Sequence, residues 1–198
     1  MSSDPRLTAQ VLPLVNGTTI LDVGCGRGRM GYNIRSDWWF TGAGRKRKQL
    51  KSLVGVDVFK PYLLQCKRNG NYDDIIMCDA THLPFKKGAF QNVIAEEIIE
   101  HMETSQGNQL LKEMEYASSH LTIVTSPRTF IEQDAVDENE HQKHVSLWSE
   151  KQFKKQGYTI LGRMVPFKNL LSDISWHHSG FPQVSFCIVA KKVVKEAV

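Results

Sequence analysis

Several absences narrow the field before any motif is read. Cysteine is scarce, four in 198 residues. Cys25, Cys66, Cys78 and Cys187 show no paired spacing of the zinc or redox type, so neither a zinc ribbon nor a redox pair is indicated. Reduced thiols in a cytoplasmic protein are expected. No apolar run approaches the ~20 residues that a membrane span needs, and polar Met1–Gln10 lacks the pattern of a secretory signal; no membrane partner is expected. Charge of one sign is nearly balanced, 25 Lys and Arg against 21 Asp and Glu for a formal net charge of +4. That bias is too mild to announce a nucleic-acid binder. Internal repeats, low-complexity tracts and dividing linkers are all missing, so one domain over residues 1–198 is expected. With 41% hydrophobic and 23% charged residues, the composition is that of an ordinary globular chain long enough to bury a core.

What is present is an alternation of strand and helix patterns. Asp4-Pro5 has the form of a helix start, with apolar Leu7, Val11, Leu12 and Val15 following before Asn16-Gly17. Strands are predicted at Thr19–Val23, Leu53–Val58, Ile75–Cys78, Asn92–Ala95 and Leu121–Thr125. Helices are predicted at Pro61–Arg68, Gln109–Ser118 and Glu150–Gln156, and two closing strands at Tyr158–Met164 and Val184–Lys191. Such alternation predicts an α/β fold, a doubly wound, mostly parallel sheet with helices on both faces.

The densest signal is Ile20-Leu21-Asp22-Val23-Gly24-Cys25-Gly26-Arg27-Gly28, an apolar strand ending in alternating glycines. Glycine lets the chain turn sharply and lets a ligand approach where a Cβ would collide. The place is also right, because open α/β sheets bind ligands at the carboxyl ends of their strands. Gly26-Arg27-Gly28-Arg29-Met30-Gly31 matches the G-x-G-x-x-G dinucleotide fingerprint, but in poor register, since Gly24-Cys25 separates it from the strand. Val54-Gly55-Val56-Asp57 is a second strand ending in a carboxylate, suited to accept ribose hydroxyls. Cys78-Asp79-Ala80 ends a third. Taken alone, each strand-end aspartate could equally be a cap or turn residue.

Together these segments resemble the class I S-adenosylmethionine-dependent methyltransferases. Phe90-Gln91-Asn92-Val93-Ile94-Ala95-Glu96-Glu97-Ile98-Ile99-Glu100-His101-Met102 resembles the post-fourth-strand motif of the branch that includes the ubiquinone/menaquinone-type, methyltransferase domain 11-like enzymes. The resemblance implies a Rossmann-like, seven-stranded sheet with an antiparallel last strand. It implies S-adenosyl-L-methionine as cofactor, held by Asp22, Gly24, Cys25, Gly26, Gly28, Asp57, Val58, Asp79, Ala80 and Glu96. In it, Asp22 orients the loop or the cofactor's ammonium group, Asp57 takes the ribose, Val58 or Phe59 lies against the adenine, and Asp79 takes the adenine amino group. Glu96 and Glu97 sit beside the methyl donor, and Glu100-His101 begins the next helix.

Methyl transfer needs the acceptor aligned with the sulfonium and a base only where the acceptor must lose a proton. His101, His144 and Glu97 are the candidates for that catalytic role. A small-molecule acceptor is expected, because no separate substrate domain and no N-terminal extension is apparent. Two alternatives stand beside it. Glu97-x-x-Glu100-His101 with His144 resembles the metal-binding set of small-RNA 2′-O-methyltransferases, in which a divalent cation lowers the pKa of a ribose hydroxyl. Those enzymes have Pro-Asn after the fifth strand, where this chain has Ser126-Pro127-Arg128, so no metal is expected and RNA is not favoured. The other alternative is a non-catalytic S-adenosylmethionine-binding protein. The long acidic segment up to Lys143 lies at the ligand end of the fold, where such loops are usually functional. His141 and Lys143 either line the substrate mouth or are solvated. Trp38-Trp39-Phe40 and Arg45-Lys46-Arg47-Lys48 form an insertion that departs from the family pattern and leaves the acceptor open.

Overall fold

The computed structural model describes residues 5–36, 50–161 and 187–194. Helix α1 (Pro5–Val11) runs into a 3-10 turn at Leu12–Leu14, and β1 (Thr19–Val23) and α2 (Arg29–Ser36) follow. Next come β2 (Ser52–Asp57), α3 (Lys60–Asn69), β3 (Asp74–Met77) and β4 (Phe90–Ala95). After a 3-10 turn at Ile99–His101 the chain forms α4 (Thr104–Ala117), β5 (Ser118–Pro127), α5 (Glu150–Lys155), β6 (Thr159–Ile160) and β7 (Cys187–Val193). The strands build one seven-stranded sheet in the order β3-β2-β1-β4-β5-β7-β6. β1 to β5 are parallel, and β7 runs antiparallel to both β5 and β6.

Successive side chains on a strand point to opposite faces, and this sheet is apolar on both. Leu21, Val23, Val93 and Val124 pack on one face with Leu110, Leu111 and Met114 of α4 and Phe153 of α5. Ile20, Ile94 and Ile123, each one residue out of step, pack on the other with Leu7 and Val11 of α1, Met30 and Ile34 of α2, and Leu63 and Cys66 of α3. The near-continuous apolar runs of the central strands therefore follow from cover on both faces. Cys25 and Cys66 are free, buried thiols, and Cys78 is a free, half-buried one.

The predicted elements occur in the predicted order, with shifted boundaries. Helix α4 begins five residues before the expected Gln109. Its first turn, Thr104–Gln106, has no apolar period; what starts it is a capping box between Glu103 and Gln106. Glu100-His101 consequently does not begin that helix but forms its own 3-10 turn. β5 extends at both ends of the expected Leu121–Thr125, because Phe90 of β4 pairs with Ser118 at its start and β7 pairs with it as far as Pro127 at its end. Of the two closing strands, expected at Tyr158–Met164 and Val184–Lys191, the described residues show Thr159–Ile160 and Cys187–Val193. The insertion with its Trp and Lys/Arg runs lies outside them.

From β1 the chain winds outward to β2 and β3, then crosses back to β4 on the other side of β1. Strand order therefore reverses between β1 and β4, which opens a crevice at their carboxyl ends. The glycine loop leaves β1 into this crevice, and Glu96-Glu97 leaves β4 beside it.

Candidate active site

The glycine loop is suspended from β2. The amides of Gly24 and Cys25 both donate to the Val56 carbonyl, at 2.8 and 2.9 Å. The Gly26 amide donates to Asp57 Oδ2 at 2.9 Å, while Phe59 N donates to Asp57 Oδ1 at 2.8 Å. Burial raises the Asp57 pKa, and the amides of Phe59 and Gly26 work against that rise. Each carboxylate oxygen keeps a second lone pair, so a held Asp57 can still accept hydroxyls. Gly24 and Gly26 have φ of 74° and 52°, a region that side chains other than glycine seldom adopt. A Cβ on Gly24 would lie 2.6 Å from Ile98 Cδ1, whereas one on Gly26 would meet nothing among the described residues within 4 Å. Gly24 is thus packed against the segment after β4, and Gly26 faces open space where a ligand can lie against bare backbone.

Asp22 is 2% exposed and accepts a hydrogen bond from the Tyr72 hydroxyl. That hydroxyl also accepts from Gly31 N in α2 at 2.9 Å. Burial pushes the Asp22 carboxyl up to about 7, against the opposing pull of the Tyr72 bond. Asp22 is therefore tied through Tyr72 to the first turn of α2, and Tyr72 is a residue that sequence reasoning missed. Tyr72 stands alone in the turn before β3, and no local motif marks it. Cys25 is buried too, with its sulfur side toward Gly55; any contribution it makes to a ligand is through its backbone. Val58 is exposed at the end of β2, and Ala80 is buried in the core. Asp79 Oδ1 accepts from both the amide and the hydroxyl of Thr81, each at 2.8 Å, which is the turn arrangement open to any strand-end aspartate.

At the end of β4, Glu96 is buried and accepts from Thr8 Oγ1 of α1 at 2.8 Å. Burial pushes it up to about 7 as well. Glu97 has φ of 56° and donates its amide to Thr125 Oγ1 of β5 at 3.0 Å. A non-glycine residue in that conformation persists only where its surroundings over-determine it, and such residues cluster at functional sites. Thr8 and Thr125 were also missed, because their partners lie 88 and 28 residues away.

Glu100, His101 and His144 come together. Their ligand atoms lie within 4.8 Å of one another, and Glu97 is not part of the group. Glu100 is 2% exposed, and neither of its carboxylate oxygens has a hydrogen-bond partner among the described residues. Burial, and after it the charge of Glu97, raises its pKa well above the usual carboxylate range. The backbone closes the cluster, since Val145 N and Ser146 N both donate to the Glu100 carbonyl, at 2.9 and 3.1 Å. His101 Nδ1 meets the Lys143 carbonyl at 3.1 Å, and His144 Nδ1 meets the Ile131 carbonyl at 2.6 Å. A carbonyl only accepts, so both Nδ1 atoms carry hydrogen and both Nε2 atoms present lone pairs in the neutral rings. Burial lowers His101 to about 4 and pulls His144 down also, so in both rings it favours the neutral form. Their centroids are 4.8 Å apart.

The segment after β5 returns across the glycine loop. Asp137 pairs with Arg27 and accepts from the Tyr62 hydroxyl at 2.7 Å, and the Arg27 guanidinium lies 4.8 Å from the centre of the Tyr62 ring. His141 is exposed on a short 3-10 turn. Lys143 pairs its ammonium with Glu140 at 2.6 Å and serves the cluster through its carbonyl alone. Crevice, open glycine backbone, strand-end carboxylates and neutral imidazoles thus meet at one end of the sheet.

Residues 20–118 match the family model described as a methyltransferase domain, while no curated protein sequence matches. Solved structures with this fold include the putative methyltransferase of Haloferax volcanii, in complex with the Trm112 methyltransferase activator. It is 14% identical over 98% of this chain and 89% of that one, with a TM-score of 0.65. An S-adenosylmethionine-dependent methyltransferase from Mesorhizobium loti is 12% identical over 95% and 96%, with a TM-score of 0.65. Magnesium protoporphyrin IX methyltransferase from Synechocystis, with bound SAM, is 14% identical over 95% and 76%, with a TM-score of 0.57. The dinucleotide reading of the glycine loop falls away, and the chain belongs to the methyltransferase domain family, class I enzymes that use S-adenosylmethionine as cofactor.

Proposed function

We propose that this methyltransferase is a single domain over residues 1–198 and acts on a small-molecule acceptor bound between the glycine loop and the His101–His144 pair. The observation that carries this reading is the rim of the site. The segment from Arg128 to His144 bears Glu132, Asp134, Asp137, Glu138 and Glu140 against Arg128 and Lys143, and Asp137 fastens it to the glycine loop and α3. An acidic strap is a poor dock for a phosphate backbone, which needs Lys and Arg. RNA is accordingly the second reading. The Haloferax neighbour is complexed with an activator protein, so a protein partner for this chain is compatible with the proposal.

In this reading the loop from Gly24 to Gly28, with Cys25 through its backbone, holds the methionine part of the cofactor. Asp57 accepts the ribose hydroxyls, and Val58, Asp79 and Ala80 border the adenine. Glu96 and Glu97 stand beside the sulfonium. His101 and His144 face the acceptor through Nε2, with Glu97 the remaining candidate base. No membrane role is included; among the described residues no helix is long and apolar enough to cross one. The proposal places the chain in the cytoplasm, in keeping with the free thiols of Cys25, Cys66 and Cys78.

The test is product identification. Metabolite and RNA fractions are incubated with the protein and isotopically labelled S-adenosylmethionine, and label is expected in a small molecule. His144→Ala is expected to lower turnover on that product at least tenfold while changing cofactor affinity little, which calorimetry reads. Label found only in RNA would overturn the small-molecule reading.

A further inference from the structure

The acidic segment after β5 makes a tight turn at its tip, and that tip bridges the two walls of the crevice. Val136 and Asn139 pair across the turn, and Asn139 N donates to the Val136 carbonyl at 3.0 Å. The two central residues, Asp137 and Glu138, have φ of 55° and 61°. Positive φ at both central positions is what a type I′ turn requires, and Asn, Asp and Gly meet it most easily. Glu138 is strained there, and such strain persists where surrounding contacts over-determine the backbone. Asn139, itself buried, accepts from His141 N at 3.1 Å. The Asp137 carboxylate takes both the Arg27 guanidinium and the Tyr62 hydroxyl. Arg27 belongs to the glycine loop, and Tyr62 to the first turn of α3 just beyond Asp57. Asp137 thus joins, from the solvent side, the walls between which Gly26 and Asp57 face the crevice. Further along the same segment, His141 is near enough to Asp57 to oppose the rise that burial gives its pKa. We propose that Asp137 is a positioning residue for the cofactor: tied to Arg27 and Tyr62, it holds the segment as a strap over the ribose side of the crevice, so that S-adenosylmethionine enters and S-adenosylhomocysteine leaves only when the tie opens.

The tie has the strength of a reversible contact. The Arg27 and Asp137 side chains are 51% and 46% exposed, and an ion pair so wet shifts an equilibrium only a few-fold. The Tyr62 hydroxyl adds one charge-assisted bond, at 2.7 Å. The Arg27 guanidinium also lies 4.8 Å from the centre of the Tyr62 ring, so the two walls keep a contact of their own when Asp137 departs, and the strap is what moves. Its base is held more firmly. His144 N donates to the Gln133 carbonyl at 3.1 Å, Gln133 Nε2 donates to the Gln142 carbonyl at 2.6 Å, and Val145 and Ser146 are bonded to Glu100. A firm base and a lightly held tip make a flap that lifts without unfolding. This role rests on the cofactor placement proposed above. It also has a kinetic signature, because a gate slows entry and exit together and leaves affinity nearly unchanged, whereas a contact made only with bound cofactor changes dissociation alone.

The experiment immobilises the full chain and reads association and dissociation of S-adenosylmethionine and S-adenosylhomocysteine by surface plasmon resonance. Asp137→Asn removes the charge and keeps a residue that such turns favour, and Tyr62→Phe removes the hydroxyl and keeps the buried ring. Asp137→Asn is expected to raise both rates about threefold to tenfold, and Tyr62→Phe to raise both by less. In each variant Kd should move by no more than about twofold, since a gate acts on both directions alike. Added salt should bring the wild-type rates toward those of Asp137→Asn, because it screens the Arg27–Asp137 pair; a merely structural role for Asp137 would give no such convergence. Faster dissociation with unchanged association would make Asp137 a cofactor contact and overturn the gate, as would rates that match wild type. Asp57→Ala, measured on the same surface, separates the two layers of the reading. Wild-type affinity in that variant would remove the cofactor placement and the strap's role with it. Weakened affinity there, beside unchanged rates in Asp137→Asn, would strike the strap alone.

Discussion

At Asp57 two backbone amides already hold the carboxylate, one from the glycine loop and one from Phe59. A ligand hydroxyl therefore meets a preformed acceptor, and charge-assisted bonds to it are each worth about 1.5–3 kcal/mol. Asp57→Ala is expected to weaken S-adenosylmethionine binding by roughly tenfold to several hundredfold. A 2′-deoxyribose cofactor analogue should lose far less affinity in the variant than in wild type; equal losses in both would separate Asp57 from the ribose. Asp22 invites a different measurement, because its folded pKa of about 7 stands above the ordinary 3.8. A raised carboxyl contributes stability that is fully present below about pH 4 and lost as pH rises through 7. The slope is at most about 1.4 kcal/mol per pH unit. Asp22→Asn is neutral throughout and keeps an acceptor for Tyr72. Urea unfolding across pH 4 to 8 should therefore show wild type losing ground to the variant as pH rises, and parallel profiles would mean that Asp22 does not titrate in this window.

At the level of elements, α4 and the segment before α5 depend on one close approach. A Cβ on Gly107 would lie 2.4 Å from Cζ2 of Trp148, which is fully buried and stands four residues after His144. Gly107→Ala must move that ring, and overpacking of this kind costs about 1–3 kcal/mol. Because Trp148 anchors the stretch in which Val145 and Ser146 bond to the Glu100 carbonyl, the displacement carries to His144. The expected result is a lower urea midpoint and reduced turnover with cofactor affinity nearly unchanged. Unaltered stability and turnover together would show that the ring has room to shift.

For the molecule as a whole, one sheet carries both core clusters, so heating should produce a single cooperative transition. S-adenosylmethionine at a hundred times its Kd stabilises the native state by about 2.7 kcal/mol. In a domain of this size each kcal/mol is worth about 2–4 °C, so the cofactor should raise Tm by roughly 5–10 °C. Two separate transitions would defeat the one-domain reading, and a shift produced by NAD but not by S-adenosylmethionine would return the glycine loop to the dinucleotide class.

Sequence by itself determined the order of elements, the glycine loop and the strand-end carboxylates, because each is written in neighbouring residues. Apolar runs such as Ile20–Val23 mark a doubly covered strand, and Gly24, Gly26 and Gly28 mark a backbone that must bend beside a ligand. The start of α4 was legible only in its capping box, since a polar first turn has no apolar period to read. Tertiary structure decided what each strand-end residue does. It tied Asp22 to Tyr72 and Glu96 to Thr8, and gave Asp79 a turn to hold. Among the four residues of the sequence constellation it grouped Glu100, His101 and His144 and left Glu97 apart. Those outcomes depend on partners up to 88 residues away, joined by sheet register and by the return of the segment after β5. Spacing along the chain does not encode such distances; they arise only when the helices and strands have packed.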